Sequence, residues 1–496
     1  MRRPGMMIEL DRCVGCLACV SACKERWDSG PGAARDWVRS YEHGKRGEDL
    51  GVTFYPGLCM QCSEHPCTAE CPTGATYARP DGIVVVDPQV CIGCGNCVPM
   101  CPYGARHPDP EKKIVEKCNL CAPYVARGEQ PACVQTCLAE CRHFGDVADP
   151  DSEVSRWIRE RAAKPLKTAE IDVGPNVYYA PAADREVLIA NGALKPTRSA
   201  ELTRIWKGVT RPLAQFGVPG VGLLAVLGGA MMNLQARRAS AQAAREADHG
   251  HGAEPTAIAS KLPDELPRHR FGMRFLHWFN LVSWILLLVT GTALMSTPAF
   301  ALFGTTGPAA IAKLFGGAPS LIRFHVAWGL LWAVVIVPFF LVFKKGGIEA
   351  LREIRMTRDD VRWLMLKPWV AMGWSKRPLP PQDKYNAGQK AFAASALAGT
   401  ATIIASGVVM SFHLGPAWFV AAMILVHKLA IAVALMGLAV HVTMAALVRE
   451  ERPALKSMVT GKVPKEHALS HATKWAEELA EKGSGRDDKP GSAEDE

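Results

Sequence analysis

The sequence predicts a chain of two unlike parts: an α+β N-terminal domain built around cysteine loops, followed by an all-α domain that crosses a membrane. Three observations carry that expectation. All 17 cysteines of the 496-residue chain lie between Cys13 and Cys141. Long apolar runs recur from Pro212 onward and are absent before it. Basic residues gather in some of the intervening loops and avoid others. The length accommodates at least two domains. A net charge of +9 would suit nucleic acid, but the basic residues flank apolar runs and no nucleic-acid-binding signature accompanies them.

The cysteines fall into four groups: Cys13, Cys16, Cys19 and Cys23; Cys59, Cys62, Cys67 and Cys71, followed by Pro72; Cys91, Cys94, Cys97 and Cys101, followed by Pro102; and Cys118, Cys121, Cys133 and Cys137. The first and third groups share the spacing C-x2-C-x2-C-x3-C and nearly repeat each other, which points to internal duplication. The spacing is that of bacterial ferredoxins. Three thiolates on a tight loop grip three irons of a cubane, and loop amides reach its sulfurs. The fourth cysteine begins the next helix and serves a neighbouring cluster. Sixteen thiolates in four groups match four [4Fe–4S] clusters, so residues 1–150 read as tandem ferredoxin-like modules with short strands between them, such as Ile83–Val86 after Asp81-Gly82. Disulfides are disfavoured because C-x2-C neighbours rarely bridge and the protein is no small scaffold. Zinc is disfavoured because it takes four ligands, not repeated triplets plus one. Cys141 repeats the C-x3-C step after Cys137. It reads as a small buried residue near a cluster, with replacement of Cys137 as the alternative.

Beyond the cysteines, residues 151–211 read as a polar extension and 212–234 as one anchor helix, its apolar run spanning Pro212–Asn233. A charged linker, 235–270, precedes a helical region at 271–450. Its apolar runs lie near Phe275–Met295, Phe324–Phe343, Ala391–Phe412 and Ala417–Val448. Each approaches or exceeds the roughly 20 residues that span a bilayer core. The tail, 451–496, is charged, with a surface helix expected near Lys474–Lys482. Lys and Arg crowd the linker (Arg237, Arg238, Arg245, Lys261, Arg268, Arg270) and the loop between the third and fourth spans (Lys344, Lys345, Arg352, Arg355 and others), whereas Thr297–Ile322 has only Lys313. The positive-inside rule then places those two loops and the C-terminus in the cytoplasm, and the cysteine domain on the periplasmic side of a bacterial inner membrane. Met1–Arg12 has no apolar signal region, so export of the folded domain is expected to rely on a partner with a twin-arginine signal.

Four histidines fall within the apolar runs: His277, His325, His427 and His441. Histidine is costly in a bilayer and usually functional. His427 and His441 share the last helix, within about 40° of one another and roughly 21 Å apart along its axis. One helix can therefore serve two stacked haems. Span topology pairs His277 with His441 toward the cytoplasm and His325 with His427 toward the outside. Bis-histidine iron has no open position and carries electrons. His413, at the outer end of the fourth span, reads as no ligand.

Taken together, the cysteine groups resemble the iron–sulfur subunits of respiratory molybdenum or tungsten enzymes, with Gly128–Cys133 similar to that family's fourth motif. The resemblance implies crossed ligand sets. Cys13, Cys16 and Cys19 pair with Cys137; Cys118, Cys121 and Cys133 with Cys23; Cys59, Cys62 and Cys67 with Cys101; and Cys91, Cys94 and Cys97 with Cys71. Trp206-Lys207-Gly208 through Pro212-Leu213-Ala214 resembles the anchor of the formate dehydrogenase iron–sulfur subunit. The later spans, with Lys384-Tyr385-Asn386-Ala387-Gly388-Gln389-Lys390, resemble that enzyme's cytochrome b subunit. The chain then looks like a fusion of the two, with one anchor helix plus a four-helix dihaem cytochrome b bundle. Ala139-Glu140-Cys141-Arg142 departs from the formate pattern, and Phe144-Gly145-Asp146 with Asp149–Ser152 is closer to sulfur-compound reductases.

The resulting expectation is an electron-transfer and membrane-anchor subunit, not the substrate-oxidising one. A separate molybdopterin subunit oxidises formate, and electrons cross four clusters and two b haems to reduce quinone near Asn386, Gly388 and Gln389. Driving them inward opposes about 2.3 kcal/mol per charge per 100 mV of membrane potential, which a low-potential donor supplies. The alternatives are the same wiring run from quinol to a sulfur oxyanion, and a membrane scaffold or sensor with structural metal. Membrane lipid, the quinone pool and further copies of the complex are the other expected partners.

Overall fold

The computed structural model describes residues 2–197, 201–248, 258–295, 297, 300–302, 304–342 and 350–484. Lys344 and Lys345 of the basic loop, residues 249–257 of the linker and the tail from 485 lie outside them. The protein packs as two compact units: Met1–Arg211 with Val289–Val326 and Ser406–Leu425, and Pro212–Leu288 with Ala327–Ala405 and Val426–Glu496.

In the first unit the central strand is Pro4–Glu9, whose Met6, Met7 and Ile8 are fully buried. It pairs antiparallel with Arg142–Asp146 and parallel with Val177–Ala180, which in turn pairs antiparallel with Lys164–Pro165. The cysteine domain therefore extends past residue 150, where the sequence reading ended it. Val177 and Tyr179 are the reason. They are buried at alternate positions, and Tyr179 donates its hydroxyl to the Pro56 carbonyl at 3.2 Å. One four-residue strand inside a polar stretch carries too little alternation to stand out.

Three hairpins hold the cysteine loops: Asp36–His43 with Gly51–Leu58, Thr76–Ala78 with Val84–Val86, and His107–Asp109 with Ile114–Glu116. Cys59 follows the first directly, and Cys118 follows the third after Lys117. The second uses the Asp81-Gly82 turn expected from sequence, with Gly82 at φ 84°. Within the cysteine loops, Gly93 is left-handed at φ 61°, and a Cβ there would stand 2.4 Å from the Lys113 carbonyl oxygen. Only glycine allows so tight a loop against its neighbour.

The described residues include five helices long and apolar enough to cross a membrane: Thr203–Ala241, Phe271–Leu294, Ala318–Phe339, Ala387–Phe412 and Ala417–Leu447. Leu223, Leu224, Leu227, Val282, Ile285 and Val334 stand exposed on them, as a lipid-facing surface requires. The first begins at Thr203 instead of Pro212. Two π-helical turns, Trp206–Thr210 and Leu213–Gly217, flank the proline. Pro212 offers no N–H to the preceding turn, and the wider turns carry the helix past it.

In the second unit, linker and tail form a small layer of their own. Glu265–Pro267 pairs antiparallel with Lys462–Pro464, and helices Lys465–His471 and Thr473–Ser484 pack beside them. The core holds Leu262, Leu266, Val463, Ala468, Ala476 and Ala480. Ala468, Ala472, Ala476 and Ala480 recur every fourth residue and are all buried. Small residues bring little apolar bulk, so the charge around them masks their burial in the sequence.

Candidate redox centres

The first unit brings the sixteen cysteines into four neighbourhoods. Cys13, Cys16, Cys19 and Cys137 line one cavity, with Val14, Leu17, Val38, Pro56, Ala139, Cys141 and Arg142 completing its walls. Cys23 lies within electrostatic reach of Cys118 and Cys121, and Cys133 within reach of Cys118 and Cys23. Cys62 is close to Cys59, Cys101 and Cys67, and Cys94 to Cys71, Cys97 and Cys91. Backbone N–H groups point at the sulfurs: Ala105 donates to Cys101 Sγ at 3.3 Å, and Val115 and Leu120 donate to Cys91 and Cys118 at 3.4 Å. Burial pushes the Cys19 thiol up to about 11, and the Cys97 and Cys118 thiols to about 12. At neutral pH such thiols stay protonated until a binding cation displaces the proton. Grouped, buried sulfurs bonded by main-chain amides are the donor set an iron–sulfur cluster takes.

The sets follow one another. Arg142 lies by Cys133 and Cys19, joining the Cys118 set to the Cys13 set. Cys118 feels Cys59 of the next set, and Cys97 feels Cys67. The order is therefore Cys13, Cys118, Cys59 and Cys91 sets. At one end Cys16 is exposed among exposed Val14, Leu17 and Leu138. At the other, Thr297 donates its hydroxyl to the Cys71 carbonyl at 2.8 Å, and Ala318 and Cys91 both pack against the buried cluster of Cys71, Ala75 and Val90. His413 also stands here. It hydrogen-bonds the main chain of Cys91, and burial lowers its pKa. Lys207 bonds Glu70, and Trp206 stacks on Phe300 with ring centroids 6.0 Å apart. No local sequence signal marks this junction, because its members come from distant stretches.

Cys141 is 2% exposed, and its Sγ lies 3.5 Å from that of Cys137. Its hydrogen bond to Cys13 holds the Cys13 thiol below its ordinary range and raises its own.

The span histidines are held by hydrogen bonds and ring contacts. In the first unit, His325 Nδ1 lies 2.8 Å from Thr290 Oγ1. Gly291 lets that ring approach, since a Cβ there would stand 3.2 Å from it. In the second unit, His427 Nδ1 lies 3.1 Å from the Ile403 carbonyl oxygen. A Nδ1–H donated to an oxygen sets the tautomer that presents Nε2 to a metal. His277 and His441 are near enough to interact, and Phe392 stacks on His441 at 4.2 Å and 7°. These arrangements fit axial ligands of haem.

The three residues expected at quinone are tied into the start of one helix. Gln389 N–H donates to Asn386 Oδ1 at 2.9 Å, and Asn386 N–H donates back to Gln389 Oε1 at 3.2 Å. This is a reciprocal cap of the Ala387–Phe412 helix. Gly388 lies between Asn386 and Trp363. The neighbourhood that sequence reasoning missed is richer in titratable groups. Tyr385 and His269 meet at 3.3 Å, and Arg268, 6% exposed, reaches Gln389 Oε1 at 3.2 Å. Burial lowers His269 to about 3, with Arg268 and Lys384 adding to it.

Serial thiolate sets and helix-borne histidines define a membrane electron-transfer protein. Residues 12–75 and 50–147 match two families, each described as a 4Fe-4S dicluster domain, and residues 268–461 match Prokaryotic cytochrome b561. The sequence is 42% identical over 204 residues to the B subunit of sulfite dehydrogenase from Allochromatium vinosum, covering 36% of this protein and 84% of that one. It is 36% identical over 197 residues to the B subunit of tetrathionate reductase from Salmonella typhimurium, covering 39% and 78%. The B component of polysulfide reductase from Wolinella succinogenes is 34% identical over 195 residues, covering 36% and 95%. The protein belongs to the family of iron–sulfur subunits of molybdopterin oxidoreductases, joined here to a cytochrome b561 domain.

Proposed function

We propose that this protein connects a molybdopterin catalytic subunit to the quinone pool, with four [4Fe–4S] clusters held by the crossed cysteine sets and two b haems held by His277 with His441 and by His325 with His427. The observation that carries the reading is the continuous order of the sets, from exposed Cys16 to the Cys71 and Cys91 loops against Thr297, Ala318 and His413. The catalytic subunit docks around Val14, Leu17 and Leu138, and electrons leave beside the spans. The loop charges support a periplasmic cluster domain and a quinone site at the cytoplasmic side, near Asn386, Gly388 and Gln389.

For the substrate, the similar proteins named for sulfite, tetrathionate and polysulfide favour an inorganic sulfur compound. The local Phe144-Gly145-Asp146 pattern agrees with them. Formate rests on the anchor, the histidine pattern of the spans and the Lys384–Lys390 stretch, and none of these relatives is named for it. Isolation of the intact complex from native membranes, with the large subunit identified by mass spectrometry, tests both readings. Sulfite-linked quinone reduction or quinol-linked tetrathionate or polysulfide reduction supports the sulfur reading. Formate-linked quinone reduction replaces it, and a preparation without haem or cluster absorbance removes the conduit itself.

A further inference from the structure

Two arginines are buried among the cysteine sets, and their charges are handled in opposite ways. Arg142, between the Cys13 and Cys118 sets, gives both Nη atoms to Asp36 at 2.6 and 2.9 Å, and Nη2 also reaches Cys19 Sγ at 3.3 Å. Both side chains of that pair are 1% exposed. The carboxylate cancels most of the field that the guanidinium would otherwise send to the sulfurs.

Arg106 lies between the other two sets and is 3% exposed. Its Nη1 donates to Thr76 Oγ1 at 3.0 Å, and its Nη2 is buried with no oxygen to bond. The guanidinium turns instead to the Cys97 sulfur. The charges that bear most on it are those of Cys67, Cys97, Cys59 and Cys101. Among the described residues no carboxylate pairs with it. The buried cation nearby, Lys117, is turned to main-chain oxygens of Val84 and Cys118. A guanidinium in a dry interior is costly unless an anion stands beside it. A cluster held by four thiolates is such an anion, and it gains one further negative charge on reduction.

We propose that Arg106 sets the potential of two clusters at once: its charge, paired with no carboxylate among the described residues and placed between the Cys59 and Cys91 sets, stabilises their reduced forms and raises both reduction potentials. The inference rests on the four-cluster reading. Each cluster takes one electron from its neighbour, and no bond or proton changes place. The two carriers nearest the spans are thereby made the better electron acceptors, while the Asp36-neutralised Arg142 leaves the first two lower. That gives the wire a step whose position is fixed by one residue.

Redox titration of the full-length protein in detergent, followed by electron paramagnetic resonance, tests this. Wild type must first show four clusters by iron content and spin count; a shortfall defeats the four-cluster reading, independently of Arg106. R106Q removes the charge. Two of the four midpoint potentials are then expected to fall by at least a tenfold change in the reduced-to-oxidised ratio, about 59 mV for a one-electron couple. The other two stay in place. R106K keeps the charge and stays near wild type. T76D keeps the arginine but gives it the carboxylate it lacks, so the same two potentials fall even if R106Q cannot hold its iron. Four unmoved potentials in T76D, or in an iron-replete R106Q, overturn the proposal. So does an R106K that shifts as far as R106Q, because shape rather than charge would then be at work.

Discussion

Cys137 and Cys141 stand 3.5 Å apart on one cavity wall, so the geometry alone leaves two thiols for one coordination position. The spacing argument favours Cys137, and its variant gives the discriminating outcome. C137S is expected to lose one cluster, about four irons, by elemental analysis, while C141S retains the full complement. The histidines allow a similar test through double variants. H277A with H441A removes one haem, whereas H277A with H427A removes both, as read from the Soret band of purified protein. His269 supplies a pH dependence. Its folded pKa is lowered to about 3 by burial, then by Arg268 and Lys384, with His277 and Arg274 adding to it. An unfolded histidine near 6.5 binds the proton more readily than the folded one, so stability is full above 6.5 and declines as pH falls toward 3. H269Q is expected to flatten the fall of melting temperature between pH 6.5 and 5. The candidate cluster ligands were legible because thiolate spacing is dictated by the metal. The companion of His269, Tyr385, was not, because a hydrogen bond between residues 116 positions apart leaves no local pattern.

At the scale of an element, the Ala387–Phe412 helix shows how one short sequence serves two masters. Lys384 pairs with Glu353 at 2.7 Å, and Lys390, 1% exposed, pairs with Asp360 at 2.8 Å and with Asp383. Between them Asn386 and Gln389 cap the helix. The stretch where quinone is proposed is a structural clamp, and substitution tests whether it has both roles. N386S keeps a capping oxygen, whereas N386A loses about 1 kcal/mol of stability. If Asn386 bonds quinone, both variants raise KM for a soluble quinone analogue; if it only caps, N386S behaves as wild type. Apolar length was enough to find the five long apolar helices among the described residues, since some twenty residues without charge have few other uses. Their ends were harder. Trp206–Thr210 continues the first helix through π turns that hydropathy does not register, and the buried alanines from Ala468 to Ala480 hide beneath charge.

For the whole molecule, the order of the cysteine sets converts four local patterns into a direction. Sequence spacing showed how many sets there are, and the resemblance implied which cysteines cross. What neither contained is which set stands beside the spans, because that depends on Thr297, Ala318 and His413 arriving from far along the polypeptide. The proposed periplasmic placement of the cluster domain predicts that a membrane-impermeant protease added to inside-out vesicles cleaves near Lys376–Lys384 and spares that domain, as gel fragments would show. Fragments of the cluster domain under those conditions would reverse the orientation.

The hydrogen bond from Thr297 to the Cys71 carbonyl has a kinetic meaning. It joins two stretches of a single polypeptide, so a donor and acceptor seated there never have to find each other by diffusion. Their effective concentration is fixed by the tether and indifferent to dilution. Transfer across this junction should therefore be first order, with a rate constant unchanged when the purified protein is diluted a hundredfold, and the stoichiometry of the two halves cannot drift with expression.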